Sequence, residues 1–276
     1  MHQLVVPLRW ILDGLVLSVL TALIASPVFA DTAPGRDLAQ RVYERPDGKD
    51  MSTRSTMVLK EKEGEPRVRE MFTYRLDGER GEVHSLIRFT APADIRGTGL
   101  LTLDHPDGSS DQWVYLPALD RSRRISTERK GGRFVGSDIF FEDLQDRKVN
   151  MDRHRLLREE QLFEMPTQVL ESVPVEPGNS TYGKRISWIH TPSLLPLRID
   201  FYAPGRDAQP IKRMEVHRIE QVQGYWTVMD NSITDLDSGH RTRVVAKKVS
   251  YDRGLPASLF TSQSLEDVAR ERVHRP

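Results

Sequence analysis

The chain has 276 residues, with 40 lysines and arginines balancing 40 aspartates and glutamates, and no cysteine. That length suits one large β domain or two small ones, and the neutral balance argues against nucleic acid as a partner. Without cysteine the chain can carry neither a disulfide framework nor a lipid anchor on an N-terminal cysteine.

Residues 1–30 have the three-part layout of a secretory signal. Arg9 supplies the positive charge, an apolar stretch runs from Leu15 to Ile24, and "SPVFA" precedes Asp31. Cleavage is expected after Ala30. The alternative, an uncleaved anchor, needs roughly 20 apolar residues, and Asp13 and Pro27 interrupt that window. An exported chain without cysteine fits a bacterial periplasm. The mature chain, residues 31–276, is expected to be a single domain.

A short helix is predicted over Asp37 to Arg45, with Leu38, Val42 and Tyr43 on one side, ended by Pro46 and Gly48. From there the pattern is β. "STMVLKEKEG" and "PRVREMFTYRLDG" form a hairpin signal around Gly64, Glu65 and Pro66. In its second strand Val68, Phe72, Tyr74 and Leu76 share one face, while Arg67, Arg69, Thr73 and Arg75 share the other. This is the alternation of a half-solvated antiparallel strand. Val83, Ile87 and Phe89 fall in phase in the next strand. In "DQWVYLPALDRSRRI", Asp111 to Ile125, both faces are apolar (Trp113 with Tyr115, Val114 with Leu116), so the strand is expected to be buried on both sides. "GSDIFFEDLQDR", Gly136 to Arg147, is expected as a short helix capped by Ser137 or Asp138. Six further strands follow from "TQVLESVPVEP" to "HRTRVVAKKVSYDRG", separated by Pro, Gly, Asp and Asn. "SQSLEDVARERV" is expected as a C-terminal helix capped by Ser264, with Leu265, Val268 and Ala269 inward. Many strands and about three short helices predict a mainly β fold: a curved antiparallel sheet forming an incomplete, half β-barrel with the helices in its mouth.

No arrangement of catalytic or metal-binding residues stands out. The eight histidines show no H-x-H or H-E-x-x-H spacing. "DHPDGSSD" lacks the spacing and terminal Glu of a calcium loop, and there is no G-x-S-x-G elbow. No enzyme activity, cofactor or metal is expected. A curved sheet with few helices tends to leave an apolar cavity. The candidate wall is Phe72, Tyr74, Phe89, Leu101, Trp113, Tyr115, Phe140, Phe141, Trp188, Phe201 and Trp226, each of which could equally be core filler. Arg121, Arg123 and Arg124 open a basic run. It is either a solvated hairpin loop or a dock for an anionic head group or acidic partner.

Three stretches within residues 95–144, "IRGTGLLTL", "WVYLPALDRSRRI" and "FVGSDIFFEDL", together with "GYW" at 224–226 and "LFTSQSL" at 259–265, give the chain a family likeness. It resembles the periplasmic outer-membrane lipoprotein-sorting proteins of the LolA-like superfamily, in the branch often encoded beside RND-type membrane transporters. The resemblance implies an unclosed antiparallel barrel with a helical lid over an apolar cavity. It implies a non-enzymatic carrier that holds acyl chains of a lipoprotein or another envelope lipid. The implied partners are an inner-membrane transporter or an outer-membrane acceptor, and the carrier is expected to be a monomer. The alternative is an envelope sensor or transporter accessory protein.

Overall fold

A computed structural model describes residues 31–276 except 177; the expected signal segment lies outside the described residues. After helix α1 (Ala33–Tyr43), β1 (Asp50–Lys60), β2 (Arg67–Asp77), β3 (Val83–Ala91), β4 (Gly99–Asp104), β5 (Ser110–Leu116) and β6 (Arg121–Arg124) fan out by successive hairpins. Residues 125–151 then cross to the opposite edge. There β7 (Asp152–Leu162) begins a second fan, through β8 (Met165–Pro174), β9 (Lys184–His190), β10 (Pro196–Tyr202), β11 (Lys212–Val222), β12 (Tyr225–Asp235) and β13 (Arg241–Tyr251). β13 pairs with β1, giving one 13-stranded antiparallel sheet whose edges are β6 and β7. It is not closed into a barrel.

The crossing segment shows how far the sheet curls. β5 and β9 stand nine strand spacings apart in the sheet order, which is about 43 Å if flat. Yet Gln112 on β5 donates to the Phe141 carbonyl at 2.9 Å, and Arg185 on β9 lies 3.7 Å from the carboxylate of neighbouring Glu142. The two strands must therefore face each other across this segment. The expected half-barrel is present, but its cover is not an α-helix. "GSDIFFEDLQDR" forms a 3-10 turn, Phe141–Leu144, between two others, Phe134–Gly136 and Val149–Met151. The physical reason is that its side chains are pulled to different sides. Ile139 enters the core, Phe140 stacks on Tyr182, and Phe141 meets Phe134 edge-on. No single helical face could serve all three.

β2 to β5 are packed on both faces, and β1 on its inner face. The inner cluster joins Met57, Leu59, Met71, Ile87, Phe89 and Leu100 to Phe134 and Ile139 of the crossing segment, with Val114 packed against it. The outer cluster joins Phe72, Tyr74, Leu86, Leu101 and Tyr115 to Leu255, Leu259, Phe260 and Leu265, with Trp113 against it. "DQWVYLPALDRSRRI" thus has two buried faces, as expected, with Val114 inward. The alternation on β2 is also as expected, but its sense is reversed. The face with Phe72 and Tyr74 packs outward beneath the C-terminal segment. The arginine face points inward: Arg69, 9% exposed, donates to the Val135 carbonyl at 2.6 Å. Val68 lies beyond the covered area and is 52% exposed.

The expected C-terminal helix is cut short. α2 spans Ser262–Glu266, and its cap is the hydroxyl of Thr261, which accepts from the Ser264 amide. Arg88, fully buried, donates to the carbonyls of Ser264 and Leu265 and pairs with the equally buried Glu271 at 3.0 Å. Those carbonyls are where the next helical turn would bond. Ala269 is accordingly exposed. β7, rich in charge, was not among the expected strands. α1 starts four residues before the expected Asp37, capped by Thr32, and lies on β7. A Cβ on Gly35 would sit 2.6 Å from the His154 carbonyl, so only glycine permits that approach.

Candidate functional site

A cavity of about 830 Å³ lies between the inner face of the sheet, the crossing segment and α1. Its apolar wall includes Met51, Met71, Leu144, Ile189, Ile199, Trp226, Val244 and Ala246. Small polar residues alternate with these: Thr53, Ser55, Thr73 and Ser85 from the first fan, Ser172, Ser187, Thr227 and Asn231 from the second. The space exists because these inward positions carry short side chains. Over Phe89 and Leu100 the crossing segment packs directly on the sheet and leaves no such space.

Of the aromatic residues expected on the wall, only Trp226 lines the cavity. Phe72, Tyr74, Leu101, Trp113 and Tyr115 belong to the outer cluster. Phe89 and Phe141 belong to the inner one. Phe140 and Phe201 pack with Tyr182 around the ammonium of Lys212, which lies 3.9 Å from the Phe140 ring centre and 4.7 Å from that of Phe201. Trp188 is covered by the guanidinium of Arg198 at 4.5 Å, and its indole donates to Glu160. Arg121, Arg123 and Arg124 form the edge strand β6. All three are exposed; Arg124 pairs with Asp111, and no ion pair engages Arg121 or Arg123 among the described residues.

Polar contacts that composition did not reveal tie the crossing segment to the second fan. Asp138 accepts from Arg133 at 2.6 Å, Thr242 at 2.8 Å and bonds His240 at 2.7 Å. Glu142 accepts from the Ser180 hydroxyl and, at 2.6 Å, from the Thr181 amide. Asp143 pairs with Lys212. Asp152 is gripped by Arg147 at 2.7 Å and Arg185 at 2.6 Å. Burial pushes its carboxyl up, but these two cations outweigh that and hold it below the ordinary carboxylate range.

The cavity's other charged end has a different character. Arg45, Asp47, Arg75, Asp77, Asp104, Asp146 and Lys148 gather around the β2–β3 turn. Arg75 donates to the Asp47 carboxylate and to the carbonyls of Asp47 and Gly48. Lys148 donates to Asp146, Tyr43 and the Gly81 carbonyl. Burial pushes the Asp77 and Asp104 carboxyls up to about 6.

One unclosed antiparallel sheet thus curls around a cavity that the crossing segment straps across. Known proteins narrow the class. A family model described as "uncharacterized protein" matches residues 81–267. A structure from Vibrio parahaemolyticus, provisionally described as an outer membrane lipoprotein-sorting protein domain, is 30% identical; the match covers 85% of this chain and 99% of that one, with a TM-score of 0.79. A DUF1329 family protein from Desulfovibrio piger is also 30% identical over 86% of this chain and 99% of its own, at a TM-score of 0.80. A LolA superfamily protein from Nitrosomonas europaea shares the fold at 18% identity, over 83% of this chain and 98% of that one, with a TM-score of 0.66. No curated protein matches. The chain belongs to the DUF1329 family, together with the Vibrio domain, and shares its fold with a LolA superfamily protein.

Proposed function

We propose that this protein is a periplasmic carrier that holds the apolar part of a lipid or lipoprotein in its internal cavity while it passes between membranes. The observation that carries this reading is the cavity of about 830 Å³, lined by one continuous sheet and its crossing segment. Each methylene buried there contributes roughly 0.8 kcal/mol, so binding needs no catalytic group. The wall differs from the aromatic one expected: Met51, Met71, Ile199 and Val244 supply apolar surface, with Trp226 the single aromatic retained from that set. Lipid mass spectrometry on the purified mature protein tests the proposal, together with uptake of a fluorescent fatty acid. Repeated absence of lipid and of uptake would overturn it.

A second reading is favoured by β6. Three exposed arginines on a sheet edge, two of them outside any ion pair among the described residues, suit docking to an acidic partner such as an RND-type inner-membrane transporter or an outer-membrane acceptor. Co-purification with such a membrane protein, lost when Arg121, Arg123 and Arg124 become Glu, would support an accessory role. Co-purification unaffected by the change would remove β6 from the interface.

A further inference from the structure

We propose that the cavity end beside the β2–β3 turn is a headgroup subsite that selects amphiphiles whose polar end donates hydrogen bonds and carries no negative charge. The inference rests on the carrier reading above and specifies its cargo. Asp77 and Asp104 both register with Val83 on the intervening strand β3. Paired residues on neighbouring antiparallel strands point to the same face, so the two carboxyls flank Val83 about 10 Å apart, two strand spacings, both lining the cavity. Asp104 is only 3% exposed; the Ser110 hydroxyl opposite it on β5 acts on the carboxylate, but Oδ1 has no partner at full hydrogen-bond geometry. A buried acceptor left unmet costs free energy that an incoming donor recovers.

The neighbouring cations have little left to offer an anion. The three protons of Lys148 go to Tyr43 at 2.8 Å, Gly81 at 2.9 Å and Asp146 at 2.6 Å. Arg75 is spent on Asp47, Gly48 and the Asp77 carboxylate, which lies 3.3 Å from it. Arg45 keeps a buried Nε without a partner, but its guanidinium already faces Asp47 at 3.6 Å. Four carboxylates, Asp47, Asp77, Asp104 and Asp146, thus meet three cations, and the surplus is one negative charge. A phosphate or carboxylate head would add to that surplus in a partly desolvated site. An ammonium would cancel it, and a polyol would satisfy the open acceptor without changing it. Burial, more than any neighbouring charge, is what raises both Asp77 and Asp104 to about 6.

Four amphiphiles with one twelve-carbon chain test the subsite by titration calorimetry on the mature protein, below their aggregation limits and at a pH of about 7.5, above both carboxyls. They are dodecylamine, monolauroyl glycerol, dodecanoate and dodecyl phosphate. At least one of the first two is expected to bind about tenfold tighter than either anion. Preference for the amine identifies charge as the recognised feature, and preference for the glycerol head identifies hydroxyl donation; both support the subsite. Asp104→Asn is expected to cut the advantage below about threefold. Should that variant fail to fold, Asp77→Asn at a half-buried position takes its place. Anions that bind as tightly as the donors, or an advantage unchanged in the variant, overturn the subsite and leave the carrier reading intact. Binding of none of the four would overturn both.

Discussion

Asp104→Asn replaces a carboxylate held in the sheet interior with an uncharged side chain of the same shape. Burial lifts the carboxyl from its ordinary 3.8 to about 6, with the charge of Asp146 adding to the rise and Ser110 and Lys148 opposing it. The folded form therefore keeps a proton that the unfolded chain has already released between those values. Stability contributed by the protonated group is complete at the acid end and falls as pH rises through the window from about 4 to about 6. The interval corresponds to an upper bound of ~3 kcal/mol at neutral pH. Relaxation around the charge lowers this, and about 1–2 kcal/mol is the expected gain for the variant. Urea unfolding followed by circular dichroism, at pH values of about 4 and about 7.5, measures it. The two proteins should be equally stable in acid, and Asp104→Asn more stable at neutral pH. A variant that loses more than ~1 kcal/mol at neutral pH, or a difference independent of pH, would show that Asp104 is ionised and well partnered, and the reasoning would fail.

Lys212→Ala leaves Asp143 buried without its cation and should lower stability by about 3–5 kcal/mol in thermal or urea unfolding. Trp113→Ala removes a ring packed on the outer cluster; we expect a loss of about 2–4 kcal/mol with fatty-acid uptake unchanged, because that ring lies away from the cavity. Ala246→Phe projects a ring into the cavity and should reduce fatty-acid uptake several-fold while the far-ultraviolet spectrum stays native. Gly35→Ala should cost about 1–3 kcal/mol in denaturant unfolding, because its methyl would meet the backbone of β7.

Period-2 alternation and turn residues located β8 to β13 and the β1–β2 hairpin, because each of those strands has one face differing in polarity from the other. The same signal failed at β7. "DRHRLLREEQL" is an edge strand whose charges are satisfied by ion pairs such as Arg155 with Glu171 and Arg158 with Glu160, so no apolar stripe is needed to hold it. On β2 the alternation was visible but its direction was not. A sequence shows two faces; only the position of the C-terminal segment decides that Phe72 and Tyr74 point away from the cavity. The wall residues were misplaced for a related reason. Large aromatic side chains attract attention as ligand contacts, yet in a packed interior they fill space. The open volume lies over Thr53, Ser55, Thr73, Ser85 and Ala246, whose shortness carries no visible motif. The ties at Asp138, Glu142 and Lys212 join residues up to 104 positions apart. Local periodicity contains no trace of such pairs.

The pairing of β1 with β13 brings Met51 opposite Tyr251 and Lys60 opposite Arg241. These are the longest separations that any pairing of strands has to close, and they lie in the middle of the sheet rather than at its margin. The first fan can zip by local hairpins as soon as it is available, but β1 then remains an open edge until the last strand arrives. Such non-local pairing is slow, because loop closure precedes any compensating contact. An unpaired edge in that interval is a template for association with other chains. Refolding of this protein should therefore show an early phase confined to the two hairpin fans and a late phase in which the β1–β13 seam forms. Its yield should fall as concentration rises, because a second chain can occupy the seam before β13 does.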